Sequence, residues 1–238
     1  CTTTSPEIDS YLNGTTLFVN WGATTPGRAL STSGGGVISL YINNSSYITV
    51  RGFNFRIHTA PPIAITNRHG NTNNIVVDDN RIYYSMAGNG QDYAIQLDGI
   101  EDVANALTNL TVTNNDLAYT GSETIHTDSN IGGQQMTITI DRNWIHDVGD
   151  LGVMGPSQNG LGTPNAMIIG KANCCAASCP NIYCNSGGAG CNTSCPNGAD
   201  YSGSSISGNL VERITREHGI ALENGISGTV GSRLTVAN

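Results

Sequence analysis

Apolar and polar positions along this chain repeat as a short unit rather than as a helical stripe. Three segments align on one template: Ile75-Val-Val-Asp-Asp-Asn80-Arg-Ile82, Leu110-Thr-Val-Thr-Asn-Asn115-Asp-Leu117 and Ile138-Thr-Ile-Asp-Arg-Asn143-Trp-Ile145. Each reads apolar, polar, apolar, two polar, Asn, any residue, apolar. Ser204-Ser-Ile-Ser-Gly-Asn209-Leu-Val211 follows it with a weaker first position, and Ile48-Thr-Val-Arg-Gly-Phe-Asn54-Phe55 fits with the Asn displaced by one. Leu234-Thr-Val-Ala-Asn238 begins another copy. Alternation over Ile-x-Val or Ile-x-Ile predicts a strand with two residues inward and the middle one outward. The Asn then falls where the chain bends. There its amide can satisfy turn backbone or stack on the Asn one coil away.

Template Asn residues fall at 80, 115, 143 and 209, in steps of 35, 28 and 66 residues. The last step reads as two coils, the middle one running through Met167-Ile-Ile-Gly-Lys-Ala-Asn173. A second short strand follows in most coils: Ile63-Ala-Ile65, Ile95-Gln-Leu97, Ile125-His-Thr127 and Ile220-Ala-Leu222, with Leu151-Gly-Val153 at the equivalent place in the coil between. A repeat of about 30 residues with two or three strands per coil predicts a solenoid. A β-sandwich would need hairpin signals every ~8–12 residues and would leave the recurring Asn unexplained. The expected fold is therefore all-β: a right-handed parallel β-helix of about six to eight rungs. It forms one domain over residues 1–238, incomplete at one or both ends, because the last copy is cut short and no amphipathic segment caps it.

Composition narrows the class. The 238 residues include 27 Asn and 30 Gly, while charged residues make up 12%, against a usual ~25%. The formal charge is −8, and Lys171 is the sole lysine beside nine arginines, which argues against nucleic acid as a partner. No run of about 18 apolar residues is present, so no transmembrane helix is expected. Six of seven cysteines crowd together, at Cys174, Cys175, Cys179, Cys184, Cys191 and Cys195. In a Gly/Ser/Asn-rich stretch this reads as a disulfide-stapled loop over residues 174–200, inserted between rungs, and it implies an oxidising, extracellular setting. Zinc is the competing use, since Cys-x3-Cys spacings occur at 175–179 and 191–195. The scarcity of nearby Lys and Arg, which would favour thiolates, weighs toward disulfides. Cys1 is left over, either as a lipid-bearing residue or as a product of trimming. Asn-x-Ser/Thr sequons at Asn13, Asn43, Asn44, Asn109 and Asn192 are glycan acceptors if the source is eukaryotic.

The unit apolar-x-apolar-x-x-Asn-x-apolar followed by Gly-Ile-x-Leu, clearest over residues 204–226, resembles the parallel β-helix repeats of the pectin-lyase-like superfamily. The resemblance spans roughly residues 37–238. It implies the architecture, and it implies a secreted protein acting on acidic polysaccharide along one outward sheet face. It leaves activity open, because that superfamily holds lyases, hydrolases, epimerases, phage tailspikes and non-catalytic surface proteins.

On that expectation the outward residues of the second strand become the candidates. Asp98 and Asp128 would be stacked neighbours about 4.8 Å apart, with Glu223 further along as a third carboxylate. A pair at that spacing suits a retaining glycosidase, and a two-rung offset suits an inverting one. No cofactor is required, although Asp98 and Asp128 would equally serve Ca²⁺. Gln96, His126, Arg68 and His218 are the expected substrate-positioning groups. Asp78-Asp79 and His146-Asp147 are read as turn features. Arg216-Glu217-His218-Gly219 loosely resembles an alginate-lyase segment, but Lys171 lacks the context such an enzyme gives its lysine base. No phosphate loop, metalloprotease helix or nucleophile elbow occurs. Two functions follow: an extracellular carbohydrate-binding or polysaccharide-processing protein (a lyase or hydrolase if catalytic), or a structural or adhesive subunit whose solenoids associate end to end.

Overall fold

The computed structural model describes residues 9–13, 16–20, 40–58, 60–68, 70–85, 93–99, 105–129, 134–149, 165–172, 199–215, 218–222, 226–227 and 235–237. Every regular element among them is a strand. β1 (Asp9–Asn13) and β2 (Thr16–Asn20) form an antiparallel hairpin ahead of the repeats, which the template did not predict. Nearly all the remaining strands fall into three parallel sheets that the chain visits in fixed rotation.

Sheet one contains β4 (Ser46–Arg51), β7 (Thr72–Asp78), β10 (Leu107–Thr113), β13 (Met136–Asp141), β17 (Ser205–Ser207) and β21 (Thr235–Val236). Sheet two contains β5 (Asn54–His58), β8 (Arg81–Ser85), β11 (Asp116–Thr120), β14 (Trp144–Val148) and β18 (Leu210–Ile214). Sheet three contains β3 (Leu40–Asn43), β6 (Ile63–Thr66), β9 (Ile95–Gly99), β12 (Ile125–Ser129), β15 (Met167–Ala172) and β19 (Ile220–Leu222). A small extra pair joins β16 (Ala199–Asp200) to β20 (Ile226–Ser227). One strand per sheet per coil, each hydrogen-bonded to its counterparts one coil away, is the arrangement of a β-solenoid. Among the described residues no helix is long and apolar enough to cross a membrane.

The core is the inward half of the alternation. Ile75 and Val77, Leu110 and Val112, and Ile138 and Ile140 stack along sheet one. Ile82, Leu117 and Ile145 stack along sheet two, and Ile63, Ile95, Ile125 and Met167 along sheet three. Burying each such side chain is worth about 1.5–3 kcal/mol, so every coil contributes several fillings to one continuous column. At the β18–β19–β21 coil that column reaches solvent: Ile220, Leu222 and Val236 are exposed although they align with buried Met167, Ile169 and Ile206.

The corner between sheets one and two explains the recurring Asn. The residue before it takes a left-handed conformation in every coil: Gly52, Asp79, Asn114, Arg142 and Gly208. Gly, Asn and Asp adopt that conformation most readily. The next residue turns its side chain inward, and Asn80, Asn115, Asn143 and Asn209 form a ladder. Asn80 Nδ2 donates to Asn115 Oδ1 at 3.0 Å, Asn115 to Asn143 at 2.9 Å and Asn143 to Asn209 at 2.9 Å. Each acceptor oxygen also takes the backbone N–H of the preceding ladder residue. Each Nδ2 donates in addition to a carbonyl of the coil before: Val50, Val77, Val112 or Ile140. Phe53 occupies the slot at the foot of the ladder, its N–H donating to Asn80 Oδ1. Asn54 therefore aligns with Arg81 rather than with Asn80.

The ladder corrects the coil count between Asn143 and Asn209. The two are bonded directly, β13 pairs β17, and β14 pairs β18, so the 66-residue step is one coil and not two. Met167–Ala172 is not a sheet-one copy of the template. It is the sheet-three strand of that coil, between β12 and β19. An apolar-x-apolar triplet marks an inward-facing strand without saying which sheet it joins. Leu151-Gly-Val153, expected in that place, lies outside the described residues. So do all seven cysteines and the sequon at Asn192.

Candidate functional site

Sheet three follows the expected register. Tyr41, Ala64, Gln96, His126, Ile168 and Ala221 form one column, and Asn43, Thr66, Asp98, Asp128 and Lys171 the next. Asp98 and Asp128 are register neighbours, and so are Gln96 and His126. Gln96 and Asp98 lie on the same side of β9, where the Gln96 amide donates to Asp98 Oδ2. Thr66 bonds both Tyr41 and Asn43 of the preceding coil in the same way.

This face is not an open groove. Asp98 is 7% exposed and His126 2%, and Ala64, Thr66 and Ile168 are buried beside them. The ring of Tyr93 lies flat on His126, 4.0 Å between centroids. Of the other sequence candidates, Arg68 follows β6 and is half-buried. His218 is exposed at the start of β19, its backbone N–H donating to Asn165 Oδ1, three strands from β9. Structure thus brings Gln96, Asp98 and His126 together and leaves His218 apart. The Asp128 side chain and Glu223 lie outside the described residues. Among the described residues no group of three or more His, Cys, Asp or Glu is arranged to hold a metal ion.

A denser cluster lies on the outer side of sheet two. Register sets three columns side by side. Asn54, Arg81, Asp116, Trp144 and Leu210 form the first, and Arg56, Tyr83, Ala118, His146 and Glu212 the second. Tyr84, Tyr119, Asp147 and Arg213 make the third, each with a left-handed backbone. That conformation inserts a bulge, so two successive residues face outward and the next turns back in. Tyr83 and Tyr84 therefore share a face, while Ser85 is buried and donates to the Tyr93 carbonyl. Strict alternation would have turned Tyr84, Tyr119, Asp147 and Arg213 inward. Under strict alternation only His146 and Asp147 stand out in this cluster, and they do so as turn residues.

Ala118 is the small residue at the centre, and side chains from both neighbouring coils close over it. The Tyr83 hydroxyl donates to Asp116 Oδ2, and His146 Nε2 lies 3.0 Å from Asp116 Oδ1. His146 Nδ1 lies 2.6 Å from Asp147 Oδ2. Arg213 donates to Asp147 from Nε at 2.7 Å and from Nη2 at 3.0 Å, and its Nη1 is 2.9 Å from Glu212 Oε1. The Trp144 indole N–H donates to the same Glu212 oxygen, while its ring stacks on His146 at 4.0 Å. Tyr84 and Tyr119 stack on each other at 4.8 Å, and Arg56 sits over the Tyr83 ring.

These contacts set the protonation states. The Arg213 guanidinium holds the Asp147 carboxyl below the usual range despite burial, with His146 adding to the effect. The Trp144 N–H lowers Glu212. Burial first, and then the bond to Asp116, pushes the Tyr83 phenol up to about 12. A carboxylate whose folded value lies below its unfolded value of about 3.9 stabilises the fold above that pH and loses the contribution as acid protonates it. Asp147→Asn should therefore flatten the acid limb of a stability–pH curve between about pH 2 and 4. An unchanged acid limb would show that the Arg213 pairing contributes nothing to folding.

Comparison with known proteins returns no family model, no curated protein and no solved structure that matches the chain. The site has to be read from its own chemistry.

Proposed function

We propose that this chain is an extracellular carbohydrate-binding protein, a right-handed β-solenoid of the pectin-lyase-like kind, and that it takes its glycan on the outer face of sheet two. The observation that carries the reading is the set of aromatic rings ranked across successive coils of that face. Trp144 is 40% exposed, and Tyr83, Tyr84 and Tyr119 are half-buried beside it. Aromatic faces pack on the C–H faces of sugar rings, and the adjoining charged groups suit sugar hydroxyls. Arg51, Arg142 and Arg213 are ion-paired, whereas among the described residues Arg56 and Arg81 form no ion pair and flank Tyr83. That favours an acidic glycan. The right hand rests on the near-universal handedness of parallel strand crossovers, and the secreted setting on the cysteine-rich, disulfide-type loop.

The processing half of the reading rests on Asp98 and Asp128 of sheet three, with Glu223 next in sequence after β19. Adjacent positions in a sheet are about 4.8 Å apart, near the separation of a retaining carboxylate pair. Asp98 itself is buried. A second reading, a structural subunit that stacks end to end, is favoured by the exposed Leu210, Ile220, Leu222 and Val236 of one coil.

Affinity electrophoresis against polygalacturonate, alginate and carboxyl-reduced polygalacturonate tests the proposal. Trp144→Ala should weaken retention at least about tenfold with the melting temperature little changed. No retention of any of the three by the wild type, with elongated particles in electron micrographs, would replace the carbohydrate reading with the structural one. Release of reducing ends or unsaturated products, abolished in an Asp98→Asn/Asp128→Asn double variant, would establish processing.

A further inference from the structure

His146 holds the sheet-two face together, and its two ring nitrogens are committed differently. Nε2 faces one carboxylate, Asp116 on β11. Nδ1 faces two groups at once: Asp147 Oδ2 at 2.6 Å and Arg213 Nη2 at 3.1 Å. A neutral imidazole has a single N–H, so it cannot donate to both carboxylates, whereas an imidazolium donates to both. Only 7% of the His146 side chain is exposed, so water is a poor substitute for a lost partner.

We infer that His146 is a proton-operated latch on the glycan-binding face, so that glycan affinity is set by pH. The inference rests on the carbohydrate reading of that face. In the charged state Nε2 donates to Asp116 and Nδ1 to Asp147. The Trp144 indole then lies on a cation, and the face carries an added positive charge toward an acidic sugar. In the neutral state Nε2 keeps its proton for Asp116, and Nδ1 becomes an acceptor. Arg213 Nη2, already 3.1 Å from Nδ1 and 3.0 Å from Asp147 Oδ2, donates into it. The Asp147 oxygen then faces a lone pair and moves away. The switch needs only a small shift because one guanidinium nitrogen already addresses both acceptors.

The groups around His146 come from every strand packed against it. They are Tyr83 on β8, Asp116 and Tyr119 on β11, Trp144 and Asp147 on β14, and Glu212 and Arg213 on β18. Tyr83 stays protonated up to about 12, and Asp147 and Glu212 stay charged down to acid pH. None of these three changes charge in the window where a histidine does.

The test uses the whole chain, with polygalacturonate as the probe, from about pH 5 to about pH 8. Wild-type affinity should fall about tenfold across that range, a coupling of ordinary size, and its midpoint should follow the His146 titration seen by ¹⁵N NMR. Without ligand, the Trp144 indole resonance should move with the same midpoint. His146→Gln should bind with affinity independent of pH, and Asp147→Asn, which removes the carboxylate charge facing Nδ1, should displace the His146 midpoint. Polygalacturonate affinity that is flat in the wild type, or a slope that persists in His146→Gln, overturns the latch. A Trp144 resonance that follows His146 while no glycan binds leaves the latch standing and rejects the carbohydrate reading.

Discussion

Asn115→Ala should cost about 3–5 kcal/mol, because it opens the ladder at its middle and orphans several buried groups at once. Asn115 Oδ1 accepts from both the backbone N–H and the side-chain amide of Asn80, and its Nδ2 donates to Val77 O and Asn143 Oδ1. Alanine leaves the Asn80 N–H, one amide hydrogen and the Val77 carbonyl in a space that excludes water. Each unsatisfied buried group costs roughly 1–3 kcal/mol, part of which relaxation recovers. Asn209→Ala should cost less, about 1–2 kcal/mol, since Asn209 is only partly buried and one of its amide bonds goes to Ser207 of its own coil. Urea titration reads both: the midpoints should move in that order with unchanged slope. Equal, small shifts would show that the ladder is incidental to stability.

Tyr201→Ala is the second large effect expected, about 3–5 kcal/mol. Tyr201 is 1% exposed and packs in the common core, just ahead of β17. Its hydroxyl lies 2.8 Å from Thr127 Oγ1, which also accepts the Gly170 N–H. It therefore ties the corner before sheet one to two strands of sheet three. Tyr201→Phe keeps the ring and removes the bond, so it should cost only about 1 kcal/mol. The difference between the two variants separates filling from hydrogen bonding. If phenylalanine destabilised as much as alanine, the hydroxyl and not the ring would be the essential part.

Both residues bear on what the amino-acid pattern could reveal. Asn115 was legible because its role repeats: the same amide at the same corner in coil after coil leaves a period. The inward triplets were legible for the same reason, and so was the adjacency of Asp98 and Asp128, which follows from register alone. Tyr201 was not, since it occupies its place once. The 66-residue step misled because Met167-Ile-Ile looks alike whether it joins sheet one or sheet three; only its partners, Ile125 and Ile220, assign it. The covering of sheet three escaped notice because alternation says which way a side chain points and nothing about what lies over it. The sheet-two site was hidden by a backbone event. One left-handed residue in each of β8, β11, β14 and β18 reverses the parity, bringing Tyr84, Tyr119, Asp147 and Arg213 out beside Tyr83 and His146.

The asparagine column also has a direction. Asn80, Asn115 and Asn143 each give one amide hydrogen to the coil that follows, so each of these coils presents a backbone N–H and a side-chain N–H to one oxygen. In the incoming coil the single Oδ1 of its own ladder residue answers both. A slip of one residue would offer the Asn115 pair an arginine or a tryptophan and the Asn143 pair a glycine or a leucine, whereas the Asn80 pair would meet Asn114 or Asp116. The column thus penalises a one-residue misalignment most at the junctions above Asn115 and Asn143, where neither neighbouring side chain of the next coil offers an oxygen.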